Sequence, residues 1–359
     1  MKPTEVIWPL ERHTLGKHEV LRRYLEAWFG ILGTTQSRIV VIDGFAGPGQ
    51  YAGGEQGSPL IALRVLREHR AKSFKADVKF GFIEKDKSRA DHLRALIENL
   101  KPLPARCEVD VKHGAFDETM IAVLNELDAQ RQKLAPAFVM VDPFGVSDTP
   151  MAVIERILRG GMSEVYVSLM YREIHRFGET PQFEKPLDAL FGTAEWRQGI
   201  DLQGEERKDF FYGLYERQLR RAGAKHVLHF DLYEGQQLVY AIFFATRHWL
   251  GSNRMKQAIW KVAPFGDYAF HGTKQLLLGL DTVDYAPLRR ALEARFKGQG
   301  WTSMKEVNEF VGSDQTDFHT GQLKRPVLVP MEDERVLEID PKTRAKRHTY
   351  PDGTMVRFV

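Results

Sequence analysis

The stretch that most constrains this chain runs from Arg38 to Ser58. Arg38-Ile39-Val40-Val41-Ile42-Asp43 sets four consecutive β-branched residues ahead of a carboxylate. A run that is continuously apolar rather than alternating predicts a strand buried on both faces, as in a parallel sheet covered by helices on either side. The loop Gly44-Phe45-Ala46-Gly47-Pro48-Gly49 follows. Ser58-Pro59 then predicts a helix start, Ser58 capping the free N–H groups and Pro59 standing in a first turn that needs no N–H. Strand, acidic end, glycine loop and helix, in that order, are how doubly wound sheets hold an adenosine-bearing cofactor at the C-terminal edge of their strands.

The pattern repeats. A strand over 78–83 ends in Glu84 and leads to a helix over 86–100; a third strand, 107–111, runs on to Gly114-Ala115-Phe116. After a helix from 117 to about 133, the strand 137–141 closes on Asp142-Pro143-Phe144-Gly145, and a helix over 150–158 precedes a fifth strand, 165–169. Such alternation predicts an α/β protein with a doubly wound, Rossmann-like sheet and right-handed crossovers. Residues 171–223 are helix-rich and dense in charge, and read as a helical insertion over the open edge of the sheet. The strands expected at 225–232 and 238–246 are separated by a turn at Tyr233-Glu234-Gly235 that is too short for a crossover helix, so they form an antiparallel hairpin. Five parallel strands finished by a hairpin outline a class I methyltransferase sheet rather than a dehydrogenase one. Ahead of it all, 15–32 has the spacing of an amphipathic helix covering an edge or mouth of the sheet, with Lys17 and His18 at its start.

The tail has its own logic. Residues 264–280 read as a linker, 285–296 and 303–311 as helices, and Asp314-Gln315-Thr316 as the opening of a third helix carrying Leu323, Lys324 and Arg325. Strands at 336–339 and 355–358 flank a basic turn, 342–348. Three short helices and a two-stranded wing predict a winged helix-turn-helix over 281–359, behind a methyltransferase-like domain over 1–264, with Pro326 and Pro330 interrupting the third helix.

Composition sets the outer bounds. With 359 residues, 43% of them hydrophobic, the chain can bury a large domain and a smaller one. No apolar run approaches the roughly 18–20 residues of a membrane span, and the N-terminus lacks the apolar core of a signal peptide, so a cytoplasmic protein that meets no membrane is expected. Cys107 is the one cysteine and the histidines lack ligand spacing, so no metal or cluster site is expected. The net charge of +3 neither demands nor forbids nucleic acid.

Gly47-Pro48-Gly49-Gln50-Tyr51-Ala52 formally fits the dinucleotide fingerprint G-x-G-x-x-[G/A]. Three details oppose a nicotinamide cofactor. Asp43, just ahead of the glycines, would repel a pyrophosphate. The helix begins only at Ser58, far along the chain for its N-terminus to cradle phosphate. Glu84, the next strand-end acid, lies about 35 residues past Gly49, against a usual ~20. S-adenosylmethionine (SAM) suits these residues better, having an ammonium, a sulfonium and a ribose diol but no phosphate. Asp43 attracts the ammonium end, the backbone of Phe45, Ala46, Gly47 and Gly49 passes close to the amino-acid moiety, Glu84 accepts the ribose hydroxyls, and Gly114, Ala115 and Phe116 border the adenine. The plainer alternative is that the two acids only cap strand ends.

Asp142-Pro143-Phe144 stands beside the methyl donor in such a sheet. Methyl transfer to an exocyclic amine needs acceptors for both amine hydrogens, which Asp142 and the carbonyl of Asp142 or Pro143 supply, while Phe144 stacks on a base. The plainer alternative is a strand-end turn with a packed phenylalanine.

Taken together, Asp43-Gly44-Phe45-Ala46-Gly47-Pro48-Gly49, Gly57-Ser58-Pro59-Leu60, Ile83-Glu84-Lys85-Asp86, Asp142-Pro143-Phe144-Gly145 and Met255-Lys256-Gln257-Ala258-Ile259-Trp260 resemble the three-Cys-motif partner proteins (TcmP) over nearly the whole chain. That resemblance implies a bacterial class I methyltransferase-like fold that works with a separate radical-SAM-like protein bearing the three cysteines. Asp142-Pro143-Phe144-Gly145 is also similar to the D-P-P-[Y/F/W] signature of amino-methyltransferases acting on adenine or cytosine, with its aromatic residue moved forward by one. Two further readings stay open: a non-catalytic SAM-binding scaffold for the radical-SAM-like partner, and a DNA-binding regulator led by the winged helix.

Overall fold

The computed structural model describes residues 5–70, 73–177, 180–264, 268–271 and 283–359. In chain order, α1 (Arg12–Thr35) leads into β1 (Arg38–Asp43), α2 (Ser58–Glu68), β2 (Asp77–Glu84), α3 (Lys87–Asn99) and β3 (Cys107–His113). Next come α4 (Phe116–Ala129), β4 (Ala137–Val141), α5 (Met151–Arg159) and β5 (Glu164–Leu169). Three helices follow, α6 (Tyr171–Phe177), α7 (Glu184–Phe191) and α8 (Gly204–Arg221), then β6 (His226–Glu234), β7 (Gln237–Thr246), α9 (Trp249–Trp260) and β8 (Ala269–Phe270). The tail comprises α10 (Ala286–Phe296), β9 (Thr302–Ser303), α11 (Met304–Gly312), α12 (Val329–Asp333), β10 (Leu337–Ile339) and β11 (Met355–Phe358).

The large sheet has the order β3-β2-β1-β4-β5-β7-β6-β8. β1 lies in its interior, parallel to β2 and β4, and only β7 runs against its neighbours β5 and β6. The continuously apolar strands resolve into two faces, because successive side chains point to opposite sides. Val41, Phe80, Phe138 and Phe244 pack beneath α1, α2, α3 and α9. Ile42, Val139, Val167 and Phe243 pack beneath α4, α5, α7 and α8. A mixed α/β protein built on a mostly parallel, doubly wound sheet is therefore what this sequence forms.

Several expectations are corrected. Residues 171–223 do not lie over an open edge: Leu187, Phe191, Phe211 and Leu214 are buried in the second core, so α7 and α8 are the helical layer that covers β5 and β7. The linker expected at 264–280 contains β8, parallel to β6, because Phe270 is driven into the first core; positions 265–267 and 272–280 lie outside the described residues. Ser58 does not cap α2, whose N-cap is Gly57 with no side-chain bond.

In the tail, β9 adds a third strand, giving an antiparallel sheet ordered β10-β11-β9. The third helix does not open at Asp314. It starts at Thr320 as a short 3₁₀ turn, widens to a π turn over Lys324–Leu328 and becomes α12 only from Val329. Pro326 and Pro330 remove two helix donors, which is why the segment is broken. The tail is fixed to the sheet domain by the Lys256 ammonium on α9, which donates to the carbonyls of Val311, Ser313 and Thr316 at 2.6, 2.6 and 2.9 Å. These include orphan carbonyls from the end of α11. Asp314 bonds Arg220 at 2.5 Å and His226 at 3.0 Å across the same junction.

Candidate cofactor cleft

β1, β2 and β4 end along one edge, and the glycine loop is stitched between them. The Gly44 N–H donates to the Met140 carbonyl at 2.8 Å and the Ala46 N–H to that of Ile83 at 2.9 Å. Gly47 and Gly49 have φ of +60° and +82°, and a Cβ at Gly49 would stand 2.6 Å from the Leu93 side chain. Only glycine suits that turn. Residues 50–56 bulge out and return, so that the Gly57 N–H meets the Gly49 carbonyl at 2.8 Å. The N-terminus of α2 thus reaches the cleft after all. Its late start in sequence is no argument against phosphate, and the case against a pyrophosphate rests on Asp43 and on the placing of Glu84.

Asp43 is 2% exposed. Among the described residues its carboxyl accepts from the Ser58 hydroxyl at 2.7 Å and the Phe45 N–H at 3.1 Å. Burial pushes it up to about 7 in spite of those two bonds. Glu84, also buried, accepts the Gly47 N–H at 2.9 Å on one oxygen and the Asp86 N–H at 2.7 Å on the other. Each carboxylate oxygen has a second lone-pair direction, so acceptor capacity remains.

Asp142 sits opposite, paired with the Lys17 ammonium that α1 delivers from 125 residues away. Burial alone would raise the Asp142 carboxyl, but Lys17 holds it below the usual carboxylate range. Burial would likewise lower Lys17, and Asp142 keeps it above its ordinary value. The pair is therefore ionised. Beside it, burial and then the Lys17 charge push His18 down to about 3, leaving a neutral imidazole.

Two adjoining hollows share Phe45 and Phe144. One, of about 40 Å³, is bounded by Trp8, His18, Ala46, Gly47, Gly49 and Asp142. The other, of about 200 Å³, is bounded by Glu84, Gly114, Ala115, Phe116, Pro143 and Asp148, with Lys85 bonded to Asp148 at 2.8 Å. Eleven of the residues expected at the site line these hollows, and Asp43 lies directly behind them, holding Ser58 of the smaller one. Phe116 is 1% exposed and packs 5.7 Å from Phe45, so it is floor rather than open wall. Phe144 is 40% exposed.

Sequence reasoning missed three contributors. Trp8 crosses the glycine loop, its carbonyl accepting the Ala52 N–H at 2.9 Å and its ring lying 5.9 Å from Tyr51 and 5.7 Å from Phe144. Arg89 lies 4.8 Å over that ring and donates to the Glu5 carbonyl at 3.0 Å. Ser58 was expected as a cap and serves Asp43 instead. The only prior signal for Lys17 was its position at a helix start; Trp8 had none.

No family model and no curated protein matches the chain. Among solved structures, Trm1 from Pyrococcus horikoshii, in complex with S-adenosyl-L-methionine, is 12% identical with a TM-score of 0.38, the match covering 73% of this chain and 61% of that one. The chain thus spans less than two thirds of that protein. Protein LPL1258 from Legionella pneumophila is 11% identical (TM-score 0.38; 66% and 85% covered). An O-methyltransferase from Bacillus cereus, in complex with SAH, is 14% identical (TM-score 0.32; 63% and 80% covered). At these scores the likeness adds nothing to what the strand order and the cleft say by themselves.

Proposed function

We propose that this protein is a SAM-dependent methyltransferase acting on an exocyclic amine of a nucleic-acid base, and that it works with a radical-SAM-like protein carrying three cysteines. The observation that carries the reading is the pair of buried acids flanking the glycine loop, Asp43 hydrogen-bonded among the described residues by neutral donors and Glu84 with spare acceptor capacity, set against Asp142-Pro143-Phe144 across the same cleft. A buried carboxylate bonded only by neutral donors suits an ammonium and repels a pyrophosphate. A sheet in which β7 alone is reversed, between β5 and β6, has the class I methyltransferase order.

In this reading Asp43 and the Gly47–Gly49 backbone serve the amino-acid end of SAM, Glu84 the ribose, and Gly114, Ala115 and Phe116 the adenine. The cofactor supplies the methyl group. Asp142 accepts one amine hydrogen and the carbonyl of Asp142 or Pro143 the other, which frees the nitrogen lone pair from the base ring. Lys17 keeps Asp142 ionised for that task. Phe144 offers its open ring to the base, an interaction of about 1–3 kcal/mol in single-strand binders.

The tail follows the winged-helix order of helix, strand, helix, helix, strand, strand. Two observations favour a docking role for it over DNA reading. The start of its third helix, where base contacts are normally made, is committed to α9: the Thr320 N–H donates to Asn253 at 2.9 Å and Trp260 to the Asp317 carbonyl at 2.7 Å. In the basic turn, Arg344 and Arg347 are paired with Glu332 and Asp333. These favour the cleft, not the tail, as the place that meets nucleic acid.

Transfer of labelled methyl from SAM to DNA or RNA, by the protein with its partner present, tests the assignment; it should disappear in Asp142→Asn with SAM binding kept. The Lys17–Asp142 pair, which already engages the carboxylate, favours one second reading, a SAM-binding scaffold without turnover. SAM binding with no methyl uptake by any nucleic acid would establish that reading instead.

A further inference from the structure

A strap of chain crosses the cleft ahead of α1. Residues 5–11 form neither helix nor strand, and the Val6 and Ile7 side chains are exposed rather than set into a core. Arg89 donates to the Glu5 carbonyl at 3.0 Å, and the Trp8 carbonyl accepts the Ala52 N–H at 2.9 Å. Ala52 belongs to the outward bulge of the glycine loop, itself exposed from 52 to 55. The Trp8 indole adds edge-to-face contacts with Tyr51 and Phe144, beneath the Arg89 guanidinium. A segment with few hydrogen bonds and little buried apolar surface belongs to the part of a fold that opens most readily.

The indole takes up room that a guest needs. A Cβ added at Gly47 would stand 3.6 Å from the Trp8 ring, so its tip lies against the glycine turn. Of its other neighbours, Phe144 borders both hollows and Arg89 the larger. With Trp8 in place the smaller hollow measures about 40 Å³, room for a few water molecules and not for an aromatic ring. Even with the 200 Å³ of the larger one, the space falls short of the about 300–1,000 Å³ of small-ligand sites. Yet the smaller hollow holds Gly47, Gly49 and Asp142, the residues given above to the amino-acid end of SAM and to the acceptor amine. We propose that residues 5–11 are a lid with Trp8 as its plug: in the closed state seen here the indole fills the cleft over Gly47 and Phe144, and strap and ring swing outward together to admit SAM. A lid of this kind rests on the reading of the cleft as the SAM site.

Amide hydrogen exchange of the full chain, with and without SAM, tests the lid. Ala52 is the reporter, because its N–H is bonded to the strap; Tyr51 and Gly57, whose N–H groups meet the Glu55 and Gly49 carbonyls at 2.9 and 2.8 Å within the loop, are the controls. Trp8→Ala should speed Ala52 exchange about tenfold or more and leave the controls unchanged. Saturating SAM should speed it in the wild type by about fivefold or more, where a strap that merely clamps its guest would slow it. Calorimetry should show SAM bound about fivefold or more tighter by Trp8→Ala, since no closed state then competes. Ala52 exchange that is slowed or unaltered by bound SAM, or unaltered in Trp8→Ala, would overturn the lid while leaving the cofactor reading intact. SAM that binds neither protein, with Ala52 exchange still raised in Trp8→Ala, would support the lid and overturn SAM as its guest. The wild-type comparison decides the matter by itself if the variant does not fold.

Discussion

The cleft and the basic turn of the tail hold comparable numbers of charged groups and use them in opposite ways. In the tail, the two oxygens of Glu332 meet the Arg344 guanidinium at 2.5 and 2.8 Å, and Asp333 takes Arg347 and His348, so these charges are paired between α12 and the turn. In the cleft, the described hydrogen bonds to Asp43 and Glu84 come only from N–H and O–H groups without charge, while Asp142 is paired with Lys17 and Asp148 with Lys85. The tail's charges serve its own folding, while the cleft's unneutralised acids leave an electrostatic preference for an incoming cation.

That contrast can be broken at four points. The largest effect is expected at Asp142→Asn, which should lower methyl transfer by about 10²–10³-fold, in the range for removing a group aimed at developing charge, while the SAM Kd moves less than about threefold. A comparable loss of SAM binding would mean that Asp142 holds cofactor rather than acceptor. Glu84→Ala should weaken SAM by about 10²-fold, two charge-assisted bonds of roughly 1.5–3 kcal/mol each being partly replaced by water. Calorimetry showing unchanged affinity would return Glu84 to the role of a strand-end cap.

A smaller effect is expected from pH. Burial raises Asp43 to about 7 in the folded chain, well above the ordinary carboxylate value of about 4. A carboxyl raised on folding contributes stability that is complete below the unfolded value and lost as pH rises through the folded one. The ligand-free protein should therefore lose stability between about pH 4 and 7. A cationic ligand favours the ionised form, so SAM affinity should climb by up to about tenfold per pH unit below 7 and level off above it. Asp43→Asn should flatten both curves; a persistent slope would assign the titration elsewhere. Arg344→Ala should be the mildest, costing about 1 kcal/mol and a few degrees of Tm with SAM affinity unchanged. A change in SAM binding there would show that tail and cleft are not separate electrostatic compartments.

What could be read from sequence was what local chemistry decides. β1 was legible because four β-branched residues ending in an acid are a pattern complete within six positions, and its observed bounds coincide with that run. The breaks at Pro326 and Pro330 were legible because a missing N–H acts where it stands. The rest depends on residues brought from a distance. Lys17 meets Asp142 across 125 positions, and no periodicity encodes that meeting. Ser58 turned from cap to acid ligand because the loop bulge swings the start of α2 against Asp43. Residues 171–223 were placed at an edge because charge density suggested exposure, whereas Phe191, Phe211 and Tyr215 lie on one buried side of otherwise charged helices.

Trp8 has a practical consequence. The chain contains six tryptophans, and of these only Trp8 lines the cleft hollows. Its indole is flanked by Tyr51, Phe144 and the Arg89 guanidinium, a surrounding that any guest must alter. The molecule thus comes with an intrinsic fluorophore at its own doorway, and a difference spectrum against Trp8→Phe would follow occupancy in real time with no label attached.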